Sequence, residues 1–385
     1  MATTTNSPSP TIAIIGASGK LGGATLHALL EHALHPPANI IALTSSKPGS
    51  ETWDKLASTS SSSSGSPSIQ VRHATFDDPQ SLTAALDGVD VFFLVSTPRI
   101  SMDFNDAPPG TGREAHHFAA IDAAVAAGVK VLVYSSLAFG FRSFAARRSH
   151  NVKDGASEGE SKAGVMRAHL RTEAYLAELA AQGKLQSTVI REGLYNESWP
   201  LYLGYFDTKA YLEDKAGEEK GREEVVKLAG DGKISWTAIK DLGVGSAVVL
   251  SSLAAFLKSG NQGISDNRSN EFLGRKFYLS NPPSTALTLA EVANLITETA
   301  TTAKATARKI KVQIVPLREH IATYTSRSGP ESKPAVEWWA RTYPALEDGE
   351  CHVDDSTLAE LLGRVGVKAT PMEETVREMI IGRSP

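Results

Sequence analysis

Cysteine is nearly absent from this chain of 385 residues, which contains only Cys351. A single cysteine cannot form a disulfide within the chain and cannot supply a cysteine-rich zinc site. His116 and His117 are adjacent, but they form no metal-ligand pattern with a nearby acid. We therefore predict no metal site.

An excess of charge of either sign is missing as well. The chain has 39 Lys and Arg and 43 Asp and Glu, for a net charge of −4, so no basic surface for nucleic acid is expected. No apolar run approaches the length of a membrane span, and the polar residues 1–10 lack the apolar segment of a signal peptide. We predict a cytoplasmic monomer or homodimer without a membrane partner. Residues 1–10 are predicted to be a disordered tail.

The most informative stretch is a short apolar strand followed by three glycines. Thr11–Ile15 is β-branched and apolar, and Gly16, Gly19 and Gly22 precede a helical pattern. This order is typical of the first turn of a dinucleotide-binding fold, where a pyrophosphate lies on the helix N-terminus. Alternatively, these glycines only form a turn and bind no cofactor. The predicted cofactor-binding residues are Gly16, Ser18, Gly19, Lys20, Leu21 and Gly22.

The end of the second strand indicates which dinucleotide binds. NAD-binding folds usually place an acid there to hold the ribose 2′-hydroxyl. This chain has Thr44, Ser45, Ser46 and Lys47 instead, and its next acid is Glu51. Hydroxyls and a cation suit a 2′-phosphate better, so we predict NADP(H).

Alternating apolar runs and helical patterns predict an α/β fold, a doubly wound parallel Rossmann sheet. Further strands are predicted at 39–44, 69–76, 89–95, 129–135 and 186–191, and two more at 277–279 and 311–315 in the second half of the chain. We assign 11–194 to an NADP-binding domain that includes a serine-rich insertion at 58–68. The remainder, 195–385, is predicted to be a smaller, mostly helical C-terminal substrate lobe.

Polar residues that follow the predicted strands extend the cofactor site. Asp77 is expected to accept from the adenine amino group, whereas Asp78 could equally be a helix cap. Backbone and side chains at the ends of the fourth and fifth strands should lie along the ribose and pyrophosphate. These residues are Ser96, Thr97, Pro98 and Ser135.

Two loops are candidates for covering a substrate. Residues 100–112 are irregular, and Met102 and Phe104 either cover the substrate or pack under their own loop. Residues 139–161 are polar and predict a lid or a surface loop.

The usual proton donor of short-chain reductases is absent. That donor is the tyrosine of a Tyr-x-x-x-Lys motif on the helix after the fifth strand. Val165 and His169 stand at the corresponding positions. Two matches, Tyr205 with Lys209 and Tyr211 with Lys215, follow the sixth strand and are interpreted as chance.

Several separate segments resemble the NmrA-like family of atypical short-chain dehydrogenase/reductases, particularly its type-2 NAD(P)H:quinone oxidoreductases. They are His169–Leu176 (HLRTEAYL), Val129–Leu137 (VKVLVYSSL), Thr188–Trp199 (TVIREGLYNESW) and Asp231–Asp241 (DGKISWTAIKD). The resemblance covers most of the chain from Thr11 to about Val376, apart from insertions.

This resemblance implies a reaction that needs no tyrosine acid. A quinone would take hydride from the nicotinamide and its proton from water or from an imidazole. His169 would contact the nicotinamide ribose and shuttle that proton, or else only hydrogen-bond backbone. Glu173 would orient the imidazole, or else tie helix to strand. For Tyr134 a place in the core is favoured.

Aromatic and apolar residues that should converge on the nicotinamide predict an apolar, aromatic small-molecule substrate. The predicted substrate residues are Met102, Phe104, Leu137, Phe139, Tyr195 and Trp199. For Trp199 a core between the lobes is an equal alternative.

The favoured function is an NADPH-dependent oxidoreductase that reduces a quinone, enone or imine-type molecule, in a setting of fungal secondary metabolism. One alternative is an NmrA-type redox-sensing regulator that binds the dinucleotide without turnover. The other is a non-redox cyclase or isomerase on the same scaffold.

Overall fold

A computed structural model describes residues 9–59, 68–141, 161–213, 223–260, 270–303 and 308–382. The predicted tail therefore lies outside these residues except for Ser9 and Pro10. Pro10 is buried, and its carbonyl is 2.8 Å from Nε2 of His35. Most of the serine-rich insertion and of the predicted lid also falls outside the described ranges.

Seven parallel strands form the main sheet in the order β3-β2-β1-β4-β5-β6-β8. Every residue of β1, β2 and β4 is buried, as expected for a parallel sheet covered on both faces. The doubly wound fold predicted from the sequence is confirmed. The strands are β1 (Ile12–Ile15), β2 (Ile40–Thr44), β3 (Gln70–His73), β4 (Val91–Leu94), β5 (Val131–Leu137), β6 (Gln186–Glu192), β7 (Glu223–Leu228), β8 (Lys276–Leu279) and β9 (Lys309–Ile314).

Helices cover both faces of this sheet and build the C-terminal lobe. They are α1 (Lys20–Glu31), α2 (Glu51–Ala57), α3 (Pro79–Ala85), α4 (Glu114–Ala126), α5 (Met166–Ala181), α6 (Trp199–Tyr202), α7 (Thr208–Glu213), α8 (Ile239–Lys258), α9 (Leu289–Ala303), α10 (Leu317–Ser328), α11 (Lys333–Ala340), α12 (Thr342–Glu347), α13 (Thr357–Arg364) and α14 (Met372–Ile381). Side chains of α1, α8 and α13 form the core on one face of the sheet, and those of α3, α4 and α5 form the core on the other.

Helix α8 corrects the prediction that no apolar run approaches membrane-spanning length. It has 20 residues and is apolar enough to cross a membrane, but most of it is buried inside the protein. A Cβ on Gly243 would lie 2.6 Å from the carbonyl carbon of Ala24, so α8 and α1 pack backbone against backbone. Helix α8 is therefore a core helix that packs on the seven-stranded sheet.

The C-terminal lobe contains a second, two-stranded parallel sheet that the sequence interpretation did not anticipate in full. Strand β7 pairs with β9, for example Val226 with Val312. A strand was predicted near β9, but β7 was missed because its sequence, EEVVKL, contains little apolar alternation. The lobe is otherwise helical, as predicted.

The two lobes interleave along the chain, which a single boundary at 194/195 does not capture. Strand β8 lies well beyond this boundary, yet it pairs with β6, with Glu192 opposite Leu279. Conversely, Phe139 and Met166 precede the boundary and pack in the core of the C-terminal lobe. Each lobe is therefore completed by segments from both halves of the chain.

Candidate active site at the carboxyl edge of the sheet

The glycine-rich turn has the geometry required to hold an anion. Gly16 has φ +72°, and its carbonyl accepts from Gly19 N at 2.8 Å. A Cβ on Gly22 would lie under 3.0 Å from that carbonyl oxygen, so only glycine permits this close approach. Helix α1 begins at Lys20 with no side-chain cap and no acid in its first turn. These residues fit a dinucleotide pyrophosphate on the helix N-terminus.

The remaining residues predicted for this turn divide between surface and core. Ser18, Gly19 and Lys20 are exposed, so they are available to a ligand. Leu21 is buried, and only its backbone is placed to contact a phosphate.

The end of β2 presents hydroxyls and a cation without an acid. The Thr44 hydroxyl is buried and accepts from Ser46 N at 3.1 Å, so it shapes this turn. Ser45 and Lys47 are exposed at the surface. His73, which was not predicted, places Nδ1 3.3 Å from the Ser46 carbonyl. The chemistry of this turn remains suited to a 2′-phosphate.

Asp77 is engaged by a residue that the sequence interpretation missed. Both of its carboxylate oxygens accept from the Arg99 guanidinium, with Nη1 to Oδ1 at 2.5 Å. The predicted adenine contact of Asp77 therefore competes with an ion pair. Asp78 takes the alternative that was left open, since its carboxylate caps α3 by accepting from Gln80 N.

The ends of β4 and β5 are joined by hydrogen bonds through the predicted cofactor residues. Ser96 N donates to the Ser135 hydroxyl at 3.3 Å, and both lie at the carboxyl edge. Thr97 is buried, and its backbone N–H donates to Nε2 of His117 at 3.2 Å. Pro98 follows as an exposed residue.

A buried ion pair fixes the loop at residues 100–112 to this edge. Arg113 Nε donates to Asp103 Oδ2 at 2.7 Å, and both side chains are almost fully buried. Arg113 Nη2 also donates to the Val165 carbonyl at 2.9 Å. The loop is thereby tied to the start of α5.

Three side chains near His169 form one buried hydrogen-bond chain that assigns the tautomers of two histidines. Because His117 Nε2 accepts from Thr97 N, the proton of neutral His117 is on Nδ1, which lies 2.8 Å from the Thr172 hydroxyl. The Thr172 hydroxyl in turn donates to the Ala168 carbonyl at 2.8 Å. His117 is therefore a donor on the side that faces Tyr134, 3.2 Å away.

The same chain determines the state of His169. The Tyr134 hydroxyl lies 2.8 Å from His169 Nδ1. Because His117 Nδ1 on its other side is a donor, we assign Tyr134 as the donor to His169 Nδ1. Neutral His169 therefore carries its proton on Nε2, which is buried and has no partner among the described residues. An unpartnered buried donor costs roughly 1–3 kcal/mol, so this N–H is an unmet hydrogen-bonding group at the edge where ligands bind.

Burial keeps this imidazole neutral. His169 is 1% exposed, and desolvation together with the nearby Arg113 cation holds its pKa well below the usual value. A neutral imidazole donates a hydrogen bond through Nε2 but is a weak proton source. His169 is thus better suited to holding a ligand oxygen than to the predicted proton shuttle.

Glu173 does not orient His169, which corrects its predicted catalytic role. Its carboxylate pairs with Arg191, at 2.9 and 2.7 Å, and accepts from the Ser136 hydroxyl at 2.7 Å. Glu173 instead has the alternative role of tying helix to strand, because its contacts join α5 to β6 and β5. Tyr134, for which a core position was favoured, is the residue that orients the imidazole.

The predicted substrate residues separate into edge and core positions. Met102, Leu137 and Tyr195 are half-buried at the edge, and Phe104 packs on Trp338 with ring centroids 5.6 Å apart. Phe139 and Trp199 have no exposed surface and belong to the C-terminal core. The alternative of an inter-lobe core therefore applies to Trp199, and Phe139 is also a core residue.

Glu192 is a further buried group at this edge that the sequence interpretation missed. It is the last residue of β6, has no exposed surface, and its Oε2 accepts from the Tyr195 hydroxyl at 3.3 Å. Burial raises the pKa of this carboxyl well above its usual value. Its position at a strand end was the available signal, but a lone glutamate after an arginine reads as an ordinary surface residue.

Sequence comparison agrees with this arrangement. A model of the NmrA-like family matches residues 8–168. These residues form an NmrA-like domain. An NmrA-like family domain-containing oxidoreductase, FlvB of Aspergillus flavus, is 26% identical over 369 residues, covering 96% of this chain and 94% of the relative. Quinone oxidoreductase 2 of Escherichia coli is 27% identical over 240 residues, covering 62% of this chain and 64% of that relative.

Solved structures share the fold of the NmrA-like domain together with its C-terminal lobe. The E. coli quinone oxidoreductase in complex with NADPH has a TM-score of 0.65 at 23% identity, covering 96% of this chain and 99% of that one. The Citrobacter triphenylmethane reductase in complex with NADP(H) has a TM-score of 0.64, also at 23% identity and with the same coverage. The predicted fold class is confirmed, and the predicted family resemblance is borne out over residues 8–168.

Within the described ranges, no group of three or more His, Cys, Asp or Glu residues is arranged to hold a metal ion. The carboxyl edge of the main sheet presents a glycine turn, a polar β2 end and a buried histidine chain.

Proposed function

We propose that this chain is an NADP(H)-dependent oxidoreductase that reduces a quinone, enone or imine-type small molecule. The observation that carries the proposal is the Nε2–H of His169, a buried donor that has no partner among the described residues and lies at the same sheet edge as the glycine turn. Among the relatives, FlvB is named an oxidoreductase and the E. coli protein a quinone oxidoreductase.

Each part of the edge has a defined task in this reaction. The turn at Gly16–Gly22 and the N-terminus of α1 hold the pyrophosphate, and Ser45–Lys47 hold the 2′-phosphate. The bound nicotinamide supplies the hydride. His169 donates from Nε2 to an oxygen of the ribose or of the acceptor, held in this tautomer by Tyr134.

The acceptor that fits this edge is flat and mainly apolar. Met102, Phe104, Leu137 and Tyr195 supply the half-buried apolar surface, and Trp338 backs Phe104. Such a surface suits an aromatic or conjugated ring system. We also propose a setting in fungal secondary metabolism, and the A. flavus relative supports its fungal part.

The test is to incubate purified protein with NADPH and a panel of quinones and enones, following NADPH absorbance and product mass. We expect NADPH consumption and a product two hydrogens heavier. Gly22→Ala should abolish it, because its Cβ would collide with the Gly16 carbonyl. Gly363→Ala is the matched control, since nothing lies within 4 Å of that added Cβ.

Two other outcomes would select the alternatives. Stoichiometric NADPH binding without consumption across the panel would favour a redox-sensing regulator, consistent with Val165 at the position of the usual tyrosine acid. A product of unchanged mass without net NADPH consumption would favour a cyclase or isomerase. Either result would contradict the proposed reductase.

A further inference from the structure

The reaction proposed above requires a proton as well as a hydride. An acceptor that has received a hydride carries an additional negative charge until a proton reaches it. The usual tyrosine is replaced by Val165, and His169 is held neutral with its Nδ1 already occupied by Tyr134. The proton must therefore come from another group or from water.

Glu192 is buried at the carboxyl edge of the sheet, between two apolar neighbours. In register with it are Leu137 on β5 and Leu279 on β8, so its two neighbours on the same face are both leucines. The preceding residue, Arg191, points to the opposite face, where it pairs with Glu173. No cation therefore compensates Glu192 from its own strand.

The hydrogen bond from Tyr195 indicates which carboxyl oxygen of Glu192 carries the proton. Tyr195 donates to Oε2, whereas Oε1 is buried and has no partner among the described residues. In a neutral carboxyl the carbonyl oxygen is the better acceptor, so with Tyr195 donating to Oε2 we assign the hydrogen to Oε1. The acidic O–H is then the unpartnered group, and an unmet buried donor again indicates a site for a ligand acceptor.

We propose that Glu192 is the catalytic acid of this enzyme, donating the Oε1 proton to the reduced acceptor, and that Tyr195 is its positioning residue. This assignment rests on the proposed reductase function. In the step, the Glu192 O–H bond breaks, a new O–H, C–H or N–H bond forms on the acceptor, and the carboxyl becomes a carboxylate. Water returns the proton afterwards, so no further oxidant or reductant is needed.

The groups that face Glu192 support a neutral carboxyl at neutral pH. Tyr195 is the titratable group in direct contact with Glu192. Burial raises the pKa of Tyr195 well above its usual value, and the nearby Glu192, Tyr202 and Glu197 raise it further. Neither Leu137 nor Leu279 can stabilise a negative charge. Burial therefore favours the protonated form, which is the form a general acid requires.

The first test compares the wild type with Glu192→Gln using NADPH and a quinone that the wild type reduces. We expect kcat to fall by about 10²-fold while the Kd for NADPH changes less than about twofold. The wild-type rate should fall as pH rises through the raised pKa of Glu192, because only the protonated form donates. The glutamine variant should lack this fall.

Glu114→Gln is the matched control. Glu114 is equally buried, and one of its oxygens also lacks a partner, but it pairs with Arg171 at 2.6 Å. We expect this control to lose stability and keep the wild-type pH profile. Tyr195→Phe should lower kcat about tenfold and shift the descending limb of the pH profile. Loss of the limb in the Glu114 variant as well would overturn the assignment.

A second readout needs no turnover. Infrared spectra of the protein without cofactor at neutral pH should contain a protonated-carboxyl band that Glu192→Gln removes. Absence of this band, or unchanged kcat in the glutamine variant, would overturn the assignment of Glu192 alone. Absence of any wild-type turnover would overturn the reductase function and this assignment with it.

Discussion

At the scale of single residues, the site depends on the side that each polar group presents to its neighbours. The Thr97 backbone fixes the tautomer of His117, and Tyr134 fixes that of His169. The sequence indicated His169 as important but suggested Glu173 as its partner, since one helical turn separates them. The structure assigns Glu173 to Arg191, because a buried carboxylate needs a cation more than an imidazole does.

Replacing Tyr134 by Phe tests this hydrogen-bond chain. The variant keeps the buried ring but removes the donor to His169 Nδ1, so the proton of His169 is free to move to Nδ1. We expect the free energy of unfolding to fall by about 1 kcal/mol and kcat/KM to fall by about tenfold. Denaturant unfolding and steady-state kinetics measure both, and nitrogen NMR of the imidazole reports the tautomer.

The matched control is Tyr175→Phe. The Tyr175 hydroxyl bonds to Asp122 at the surface, so its removal should change neither kinetics nor tautomer. If Tyr134→Phe kept wild-type kcat/KM and an Nε2–H imidazole, Tyr134 would be a packing residue only.

At the scale of elements, close packing of α1 against α8 positions the predicted anion site at the N-terminus of α1. The N-terminus of α1 approaches the Gly16 carbonyl at Gly22, and its middle approaches α8 at Gly243. The first contact was predictable from the glycine pattern beside a strand. The second was not, because Gly243 and Ala24 lie more than two hundred residues apart and no local signal connects them.

Gly243→Ala should therefore weaken the cofactor site from a distance. Its Cβ would meet the Ala24 backbone at 2.6 Å, so α1 and α8 must separate. We expect a loss of about 1–3 kcal/mol in the free energy of unfolding, together with weaker NADPH binding. Denaturant unfolding and calorimetric titration measure these effects.

Gly363→Ala in α13 is the control for this change, because its Cβ meets nothing and alanine favours helix by about 1 kcal/mol. The control should be slightly more stable than wild type. Equal stability gains in both variants would show that α1 and α8 are not in close backbone contact.

At the scale of the whole molecule, the sequence predicted the elements that are determined by local residue patterns. Buried apolar runs gave the strands of the sheet, and Thr11–Gly22 gave the first turn. Pairings between distant segments were missed, including β7 with β9 and the addition of β8 beyond β6. Phe139 was placed in the pocket, and Trp199 either there or in a core between the lobes. The sequence could not decide, because the burial of both side chains depends on the C-terminal lobe, which no local pattern reveals.

The central claim is that this edge binds NADP(H). The most direct measurement is calorimetric titration of the wild type and Lys47→Gln with NADPH and with NADH. We predict one NADPH per chain, bound at least about tenfold more tightly than NADH, a difference of roughly 1.4 kcal/mol that Lys47→Gln reduces. No NADPH binding, or equal affinities that Lys47→Gln leaves unchanged, would contradict it.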